Sequence, residues 1–370
     1  MKLQKVKFSI ITVCYNAQNL IRGTIESVLK QKWDNFEYII VDGASSDGTL
    51  KIVSEYEKKE NRMMCYSEKD SGIFNAMNKG IHYASGDYII FLNAGDDFHT
   101  DIVLEKAAKK ITVENADILI GDVAFKTEMG LSKHSYAVGN DLYENLAKGN
   151  SICHQVVFAS KETLEGGFDE HYPTCADYDW ICRQVKTGSK IVKLDMVVVN
   201  YDIHGVTSQV NYQKVHWQEF FEIIGKYFPQ PEFKYGKEVK ELFVAERKEY
   251  FLCKFMNRWL MLKQRGINLS DFFVQKGMKK IAIYGIHYIG KRLYDEFQGS
   301  AVEVVYAIDR NPRENGWNIP VLHPDNALKD IDAVVVTPIF DYLEIKKILS
   351  AKLSCPIFSV EDILYYEYLL

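Results

Sequence analysis

The chain has 370 residues, 47% hydrophobic and 26% charged, an ordinary globular composition that excludes a disordered or fibrous protein. Its 45 Lys and Arg against 50 Asp and Glu leave a net charge of −5, without the basic surplus of a duplex-binding protein, so nucleic acid is not an expected partner. No apolar run approaches the ~20 residues of a membrane span. Seven scattered cysteines with no C-x-x-C pair argue against a disulfide framework or zinc site and predict a reducing, cytoplasmic setting.

The elements follow in chain order. The opening MKLQKVKFSIITVCYN is basic and then apolar, but the apolar part is short and β-branched with no small-residue cleavage site after it. It reads as a first strand, Phe8 to Val13, rather than a signal peptide. Asn19 to Lys30 has helical spacing, Phe36 to Val41 is a strand, and GASSDGT is a turn that opens a helix. Met63 to Tyr66 is short and apolar, Ile73–Met77–Ile81 is helical, and Tyr88 to Leu92 is a strand ending in NAGDD. This alternation predicts an α/β fold with a mostly parallel sheet. Ligands in such sheets sit outside the carboxyl ends of the strands, and each polar cluster here follows a strand end.

Beyond residue 115 the pattern mixes short strands (Ile118–Gly121, Ile152–Phe158, Ile191–Val199) with turns and the charged segment CADYDWICRQ. Tyr212 to about Lys279 reads helical. From Lys279 onward, KKIAIYGIHYIGKRLYDEF, VEVVYAID and IDAVVVT form a second, smaller α/β unit. The expected division is 1–210, a helical linker over 211–277, and 278–370.

Four polar segments carry candidate chemistry. Asp42 ends a strand and precedes Gly43 and small hydroxyl residues, a pattern that offers acceptors and donors to a base or ribose. Ser46 or Asp47 as a helix cap is the plainer alternative, though it leaves Asp42 unexplained. Asp96 and Asp97 close FLNAGDD, where one or two carboxylates with phosphate oxygens hold a divalent cation; a solvated acidic turn is the alternative. In ADYDW, Asp177 and Asp179 share a helix N-terminus if the segment is helical. One of them is suited to take a proton from a hydroxyl, and one to cap the helix. Asp70, Asn75, Asn78 and Lys79 lie on or before an otherwise apolar helix, where Asn78 either binds a ligand or satisfies its own structure. His154 and His204 follow strand-like stretches and are candidates for phosphate or metal contact or for structural roles.

Together, SIITVCYN (9–16), DGASSDGT (42–49), AMNKGIHYASGDYIIFLNAGDD (76–97) and ADYDW (176–180) resemble family 2 glycosyltransferases of the GT-A fold. The likeness is greatest to the bacterial polysaccharide, colanic-acid-like branch, where SEKDSGIFNAMNKG and CHQ also match. It covers about residues 5–210. The resemblance implies an inverting hexosyl- or N-acetylhexosaminyl-transferase. Its donor would be a nucleotide-diphosphate sugar, a UDP-sugar foremost, and its acceptor a glycan or lipid-linked glycan. Thr12, Tyr15 and Asn16 would line the nucleotide pocket, and Asp42 would contact base or ribose. Asp70, Asn78 and Asn93 would shape the donor site. Asp96 would ligate Mn²⁺ or Mg²⁺, with Asp97 or His204 as helpers. Asp177 would be the general base and Asp179 structural, with His154 a contact for acceptor or phosphate. The family's Asp-x-Asp-Asp signature reads Asn93-Ala94-Gly95-Asp96 here, two carboxylates short.

The C-terminal unit resembles small Rossmann-like domains. Gly285-Ile286-His287-Tyr288-Ile289-Gly290 stands where a dinucleotide fingerprint would, with His287 replacing its middle glycine, and Asp309 ends the next strand. Docking or oligomerisation is the expected role, and nucleotide binding the alternative. The Tyr250–Arg265 segment either packs as a core helix or lies on the inner membrane surface. Two other functions stay open: a catalytically silent nucleotide-sugar binder, and an NAD(P)-dependent sugar-modifying enzyme acting through the C-terminal unit.

Overall fold

The computed structural model describes residues 6–127, 130–202, 210–229, 237–312 and 317–366. They fall into two compact units, Met1–Gly205 with Gln218–Lys234, and Val206–Trp217 with Tyr235–Leu370.

The first unit begins with β1 (Phe8–Cys14), α1 (Ile21–Leu29), β2 (Phe36–Asp42), α2 (Thr49–Glu57), β3 (Met63–Ser67), α3 (Ile73–Tyr83) and β4 (Tyr88–Phe91). It continues with β5 (Asp97–Phe98), α4 (Val103–Glu114), β6 (Ile118–Thr127), β7 (Gly130–His134), α5 (Asn140–Ala147), β8 (Val157–Ser160), α6 (Ala176–Thr187) and β9 (Ile191–Asp202). The sheet order is β3-β2-β1-β4-β8-β6-β9-β5, with β7 beside β6. β1 pairs in parallel with β2 and β4, and β2 with β3. β8 is antiparallel to both β4 and β6. This is the mixed, mostly parallel α/β sheet expected from the sequence.

Every residue of β1 and β2 is buried, because helices cover both faces and the strands read as continuous apolar runs. α3 packs Phe74, Ala76 and Met77 inward. Gly80 brings it close to β1, since a Cβ there would lie 2.5 Å from the Ile11 side chain. Register sets the functional rim: Cys14 is opposite Asp42, and Asp42 opposite Ser67, so the ends of β1, β2 and β3 are level. At the other end of the sheet, Glu37 accepts from Ser9 Oγ, Ser85 N and Lys7 Nζ.

The structure departs from the expected strand at Ile152–Phe158. His154–Val156 is a single 3₁₀ turn, and β8 starts only at Val157. His154 and Gln155 each hydrogen-bond an acidic side chain elsewhere in the unit, and these bonds outweigh the local β-branched pattern.

α7 (Val210–Tyr227) spans the division between the units. In the second unit follow α8 (Lys237–Gln264), α9 (Asp271–Gln275), β10 (Lys280–Tyr284), α10 (Tyr288–Phe297), β11 (Glu303–Ile308), β12 (Val321–Leu322), β13 (Ala333–Val336), α11 (Tyr342–Ser350), β14 (Ile357–Ser359) and α12 (Val360–Leu364). Its sheet, β12-β11-β10-β13-β14, is parallel throughout. On α8, Phe251, Phe255, Trp259 and Leu262 are buried within this unit, while Tyr250, Met256 and Leu260 face outward. Among the described residues no helix is long and apolar enough to cross a membrane.

Candidate active site

The rim above β1, β2 and β3 is organised by Asp42, whose residue surface is wholly buried. Its carboxylate accepts from Ser45 N at 2.9 Å, Ser45 Oγ at 2.5 Å and Ser67 Oγ at 2.7 Å. Asp42 therefore shapes the 43–48 loop from beneath. Thr12 is buried too, its hydroxyl donating to Leu92 O and hydrogen-bonded with the Tyr38 hydroxyl. Asp47 accepts from Thr49 N and Oγ1 just ahead of α2, whose N-cap position is Gly48.

Asn16 adopts φ +49°, a left-handed conformation that Asn tolerates better than most residues. Its Oδ1 accepts from Ser46 N, clamping the loop. Tyr15 next to it is 65% exposed. A Cβ on Gly43 would fall 2.5 Å from Asp70 Oδ2 and 3.4 Å from the Tyr15 ring, so these three residues share one patch of the rim. Asn78 turns elsewhere. Its amide brackets Phe168, accepting from Phe168 N and donating to Phe168 O, and also reaches Glu170. It fixes the 167–170 loop.

The second cluster is the 93–97 turn after β4. Asp96 is 3% exposed; Oδ1 accepts from Asp202 N at 2.8 Å and Oδ2 from Gln155 Nε2 at 3.2 Å. Burial pushes its carboxyl up to about 7, against the pull of these hydrogen bonds and of Lys126. Asp97 is ion-paired with Lys126 and accepts from Asn200 Nδ2, while Lys126 also donates to Gly95 O. His204 lies outside the described residues.

The third cluster is the head of α6. The segment is helical, so Asp177 and Asp179 both lie in its first turn, where the helix dipole favours negative charge. Asp179 is buried and paired with Lys226 Nζ at 2.8 Å. Glu219 Oε2 accepts from Thr174 N, Thr174 Oγ1 and Cys175 N, closing the helix start. Asp177 keeps 22% of its side chain exposed, and its Oδ2 lies 2.8 Å from His154 Nδ1. His154 Nε2 in turn lies 3.0 Å from Asn93 Nδ2. Both ring nitrogens of His154 are thus engaged by protein. Behind the pair is a small cavity walled by Phe91, Phe168, Trp180 and Ile181.

Gln155, Lys126 and Glu219 were not singled out from the sequence. Gln155 had a signal in the CHQ motif. The other two sit in no motif.

Among the described residues no three His, Cys, Asp or Glu side chains gather as a metal cage. A magnesium-like ion needs less: one or two carboxylates, with substrate phosphates and water filling the rest. Asp96 has the chemistry for that role, a buried carboxyl held by Asp202 N and Gln155 Nε2.

In the second unit, Gly285 has φ +103° and His287 folds back over it, its Nε2 3.2 Å from Thr337 Oγ1. Asp309 accepts from Ile286 N and Asn311 N. The imidazole stands where a fingerprint glycine would let a pyrophosphate approach.

Residues 9–160 match the family described as Glycosyl transferase family 2, so the chain carries that domain and is a glycosyltransferase. It is 29% identical over 203 residues to the PGL/p-HBAD biosynthesis glycosyltransferase of Mycobacterium bovis, covering 54% of this chain and 77% of that protein. It is 28% identical over 225 residues to the amylovoran biosynthesis glycosyltransferase AmsB of Erwinia amylovora, covering 55% and 72%. Among solved structures it is similar to the mannosyltransferase PcManGT of Pyrobaculum calidifontis in complex with GDP-Man and Mn²⁺. The TM-score there is 0.49 at 18% identity, over 66% of this chain and 70% of that one.

Proposed function

We propose that the protein is an inverting glycosyltransferase of bacterial surface polysaccharide synthesis. It would move a sugar from a nucleotide-diphosphate donor to an acceptor hydroxyl on a glycan or lipid-linked glycan. The observation that carries the reading is the convergence of Asp177, His154, Asn93, Gln155 and Asp96 into one hydrogen-bonded cluster beside the strand ends.

Asp177 is the general base. The acceptor oxygen attacks the anomeric carbon from the face opposite the diphosphate. Its proton passes to the Asp177 carboxylate, the new C–O bond forms, and the bond to the diphosphate breaks with its electron pair on the phosphate oxygen. Asp177 then returns the proton to water. Tyr15 and Asp70 border the donor pocket, where the exposed ring of Tyr15 offers a stacking face. Asp96 would hold Mn²⁺ or Mg²⁺, which when bound neutralises the leaving diphosphate. The parallel-sheet unit at the C-terminus serves docking or oligomerisation, since His287 fills the turn that a dinucleotide would need.

The test is transfer by Asp177→Asn. A positioned base contributes roughly 10²–10⁴-fold, so activity falls by that factor while donor binding persists. Transfer within a few-fold of the parent overturns the assignment. A panel of nucleotide sugars with Mn²⁺, read by donor hydrolysis, separates an enzyme from a silent binder. Binding without turnover, even with acceptor, would favour the silent binder.

A further inference from the structure

We propose that Asn93 and His154 are positioning residues, Asn93 fixing the tautomer of His154 so that its Nδ1–H holds the carboxylate of Asp177 for proton transfer. The inference rests on Asp177 being the base.

The argument is one of donors and acceptors. An ionised carboxylate only accepts, so the 2.8 Å contact to Asp177 Oδ2 requires the hydrogen on His154 Nδ1. An amide nitrogen only donates, so the 3.0 Å contact from Asn93 Nδ2 requires a lone pair on His154 Nε2. The neutral Nδ1–H ring is the one form that satisfies both contacts. Which ring nitrogen carries the hydrogen is set by the partner of the other, and here that partner is Asn93.

Asn93 Oδ1 is buried, with no hydrogen-bond partner among the described residues. A bare buried acceptor costs about 1–3 kcal/mol, so the orientation needs a reason. Turning the amide over would present its oxygen to Nε2. The ring would then take its hydrogen on Nε2 and leave a bare Nδ1 lone pair against the Asp177 carboxylate, or it would take a second proton. The bond to His154 opposes both.

The same logic gives meaning to the missing first carboxylate of the acidic signature. An aspartate at position 93 would accept from Nε2–H and compete for the ring's hydrogen. Asparagine at that position donates instead, and directs the hydrogen to the base.

The test uses the full chain and steady-state kinetics of transfer. His154→Asn places an amide nitrogen where Nδ1 stood, whereas His154→Gln places one near Nε2. His154→Phe and His154→Gln lower kcat by ~10–100-fold with donor KM within ~3-fold, and His154→Asn recovers most of the loss. In ¹⁵N-histidine spectra of the parent, His154 shows the Nδ1–H tautomer, and Asn93→Asp converts it to a doubly protonated ring. Equal kcat for the Asn and Gln variants, or an Nε2–H ring in the parent, overturns the proposal. If His154→Phe does not fold, the spectrum of the parent and the Asn-against-Gln comparison still decide. Retained transfer by Asp177→Asn would instead remove the base itself. Loss with Asp177→Asn but unchanged kcat with His154→Phe removes only the positioning role.

Discussion

Asp96 and Asp177 are tied to one dipeptide: Gln155 donates to Asp96 Oδ2 at 3.2 Å, and His154, the residue before it, lies 2.8 Å from Asp177 Oδ2. The 3₁₀ turn that carries the two side chains thereby sets the spacing between the acidic turn after β4 and the head of α6. A strand at 154–156 would send consecutive side chains to opposite faces and break one of the two links.

The first prediction concerns Asp96. Its carboxyl is pushed up from 3.8 to about 7 by burial. Between those two values the folded chain binds more protons than the unfolded one, so this group's contribution to stability declines as pH rises from about 4 and levels off above about 7. At pH 8 the ligand-free fold carries the cost of a buried charge. Asp96→Asn should therefore be more stable than the parent at pH 8, by about 2–4 kcal/mol, with the gap closing toward pH 4. The same variant should lose most of its transfer. Thermal unfolding at pH 5 and pH 8 checks the first effect. An equal or lower Tm for the variant at pH 8 would contradict it.

The sequence made β1, β2, β4 and the carboxyl-edge rim legible because fully covered parallel strands are continuous apolar runs ended by polar clusters. The same burial hid the roles of single residues. Thr12 was named through the family resemblance and Asp42 from its place at a strand end; their bonds to Leu92, Tyr38, Ser45 and Ser67 inside the protein were not visible in the sequence. Nor was the pairing of Asp97 with Lys126, which lies on another strand and in no motif. The turn at His154 was invisible because the side-chain bonds that create it join residues distant in sequence. ADYDW alone left Asp177 and Asp179 as alternatives, and only the family resemblance singled out Asp177, because which carboxyl is paired depends on Lys226, distant in sequence.

Glu219 holds the start of α6, the helix that carries Asp177. One of its oxygens accepts three hydrogen bonds, from Thr174 N, Thr174 Oγ1 and Cys175 N, each at 2.9 Å. Glu219→Ala leaves these donors at the start of α6 without their acceptor, and should cost about 2–4 kcal/mol of stability. Glu219→Gln keeps an acceptor and should cost less than half as much. Urea unfolding followed by fluorescence gives both values. Transfer by the Ala variant should fall further than its folded fraction, because α6 carries Asp177. Similar losses of stability for Ala and Gln would show that charge, not the triple hydrogen bond, fixes the helix.

Glu37 predicts how the fold responds to acid. Burial alone would raise its carboxyl, but hydrogen bonds from Ser85, Ser9 and Lys7 outweigh that and bring it down to about 2 from 4.5. Its stabilisation is fully present above the unfolded value and is lost as pH falls from about 4.5 toward 2. A shift of that size corresponds to about 3 kcal/mol at neutral pH, an upper figure because the Lys7 side chain is partly exposed. Glu37→Gln should lower Tm at pH 7 and flatten the acid limb of the stability curve, the two proteins converging near pH 2–3. Gly86 N also donates to this carboxylate, so the loss should register as faster amide exchange at the start of β4. Parallel stability curves for parent and variant between pH 7 and pH 3 would show that another carboxylate governs acid unfolding.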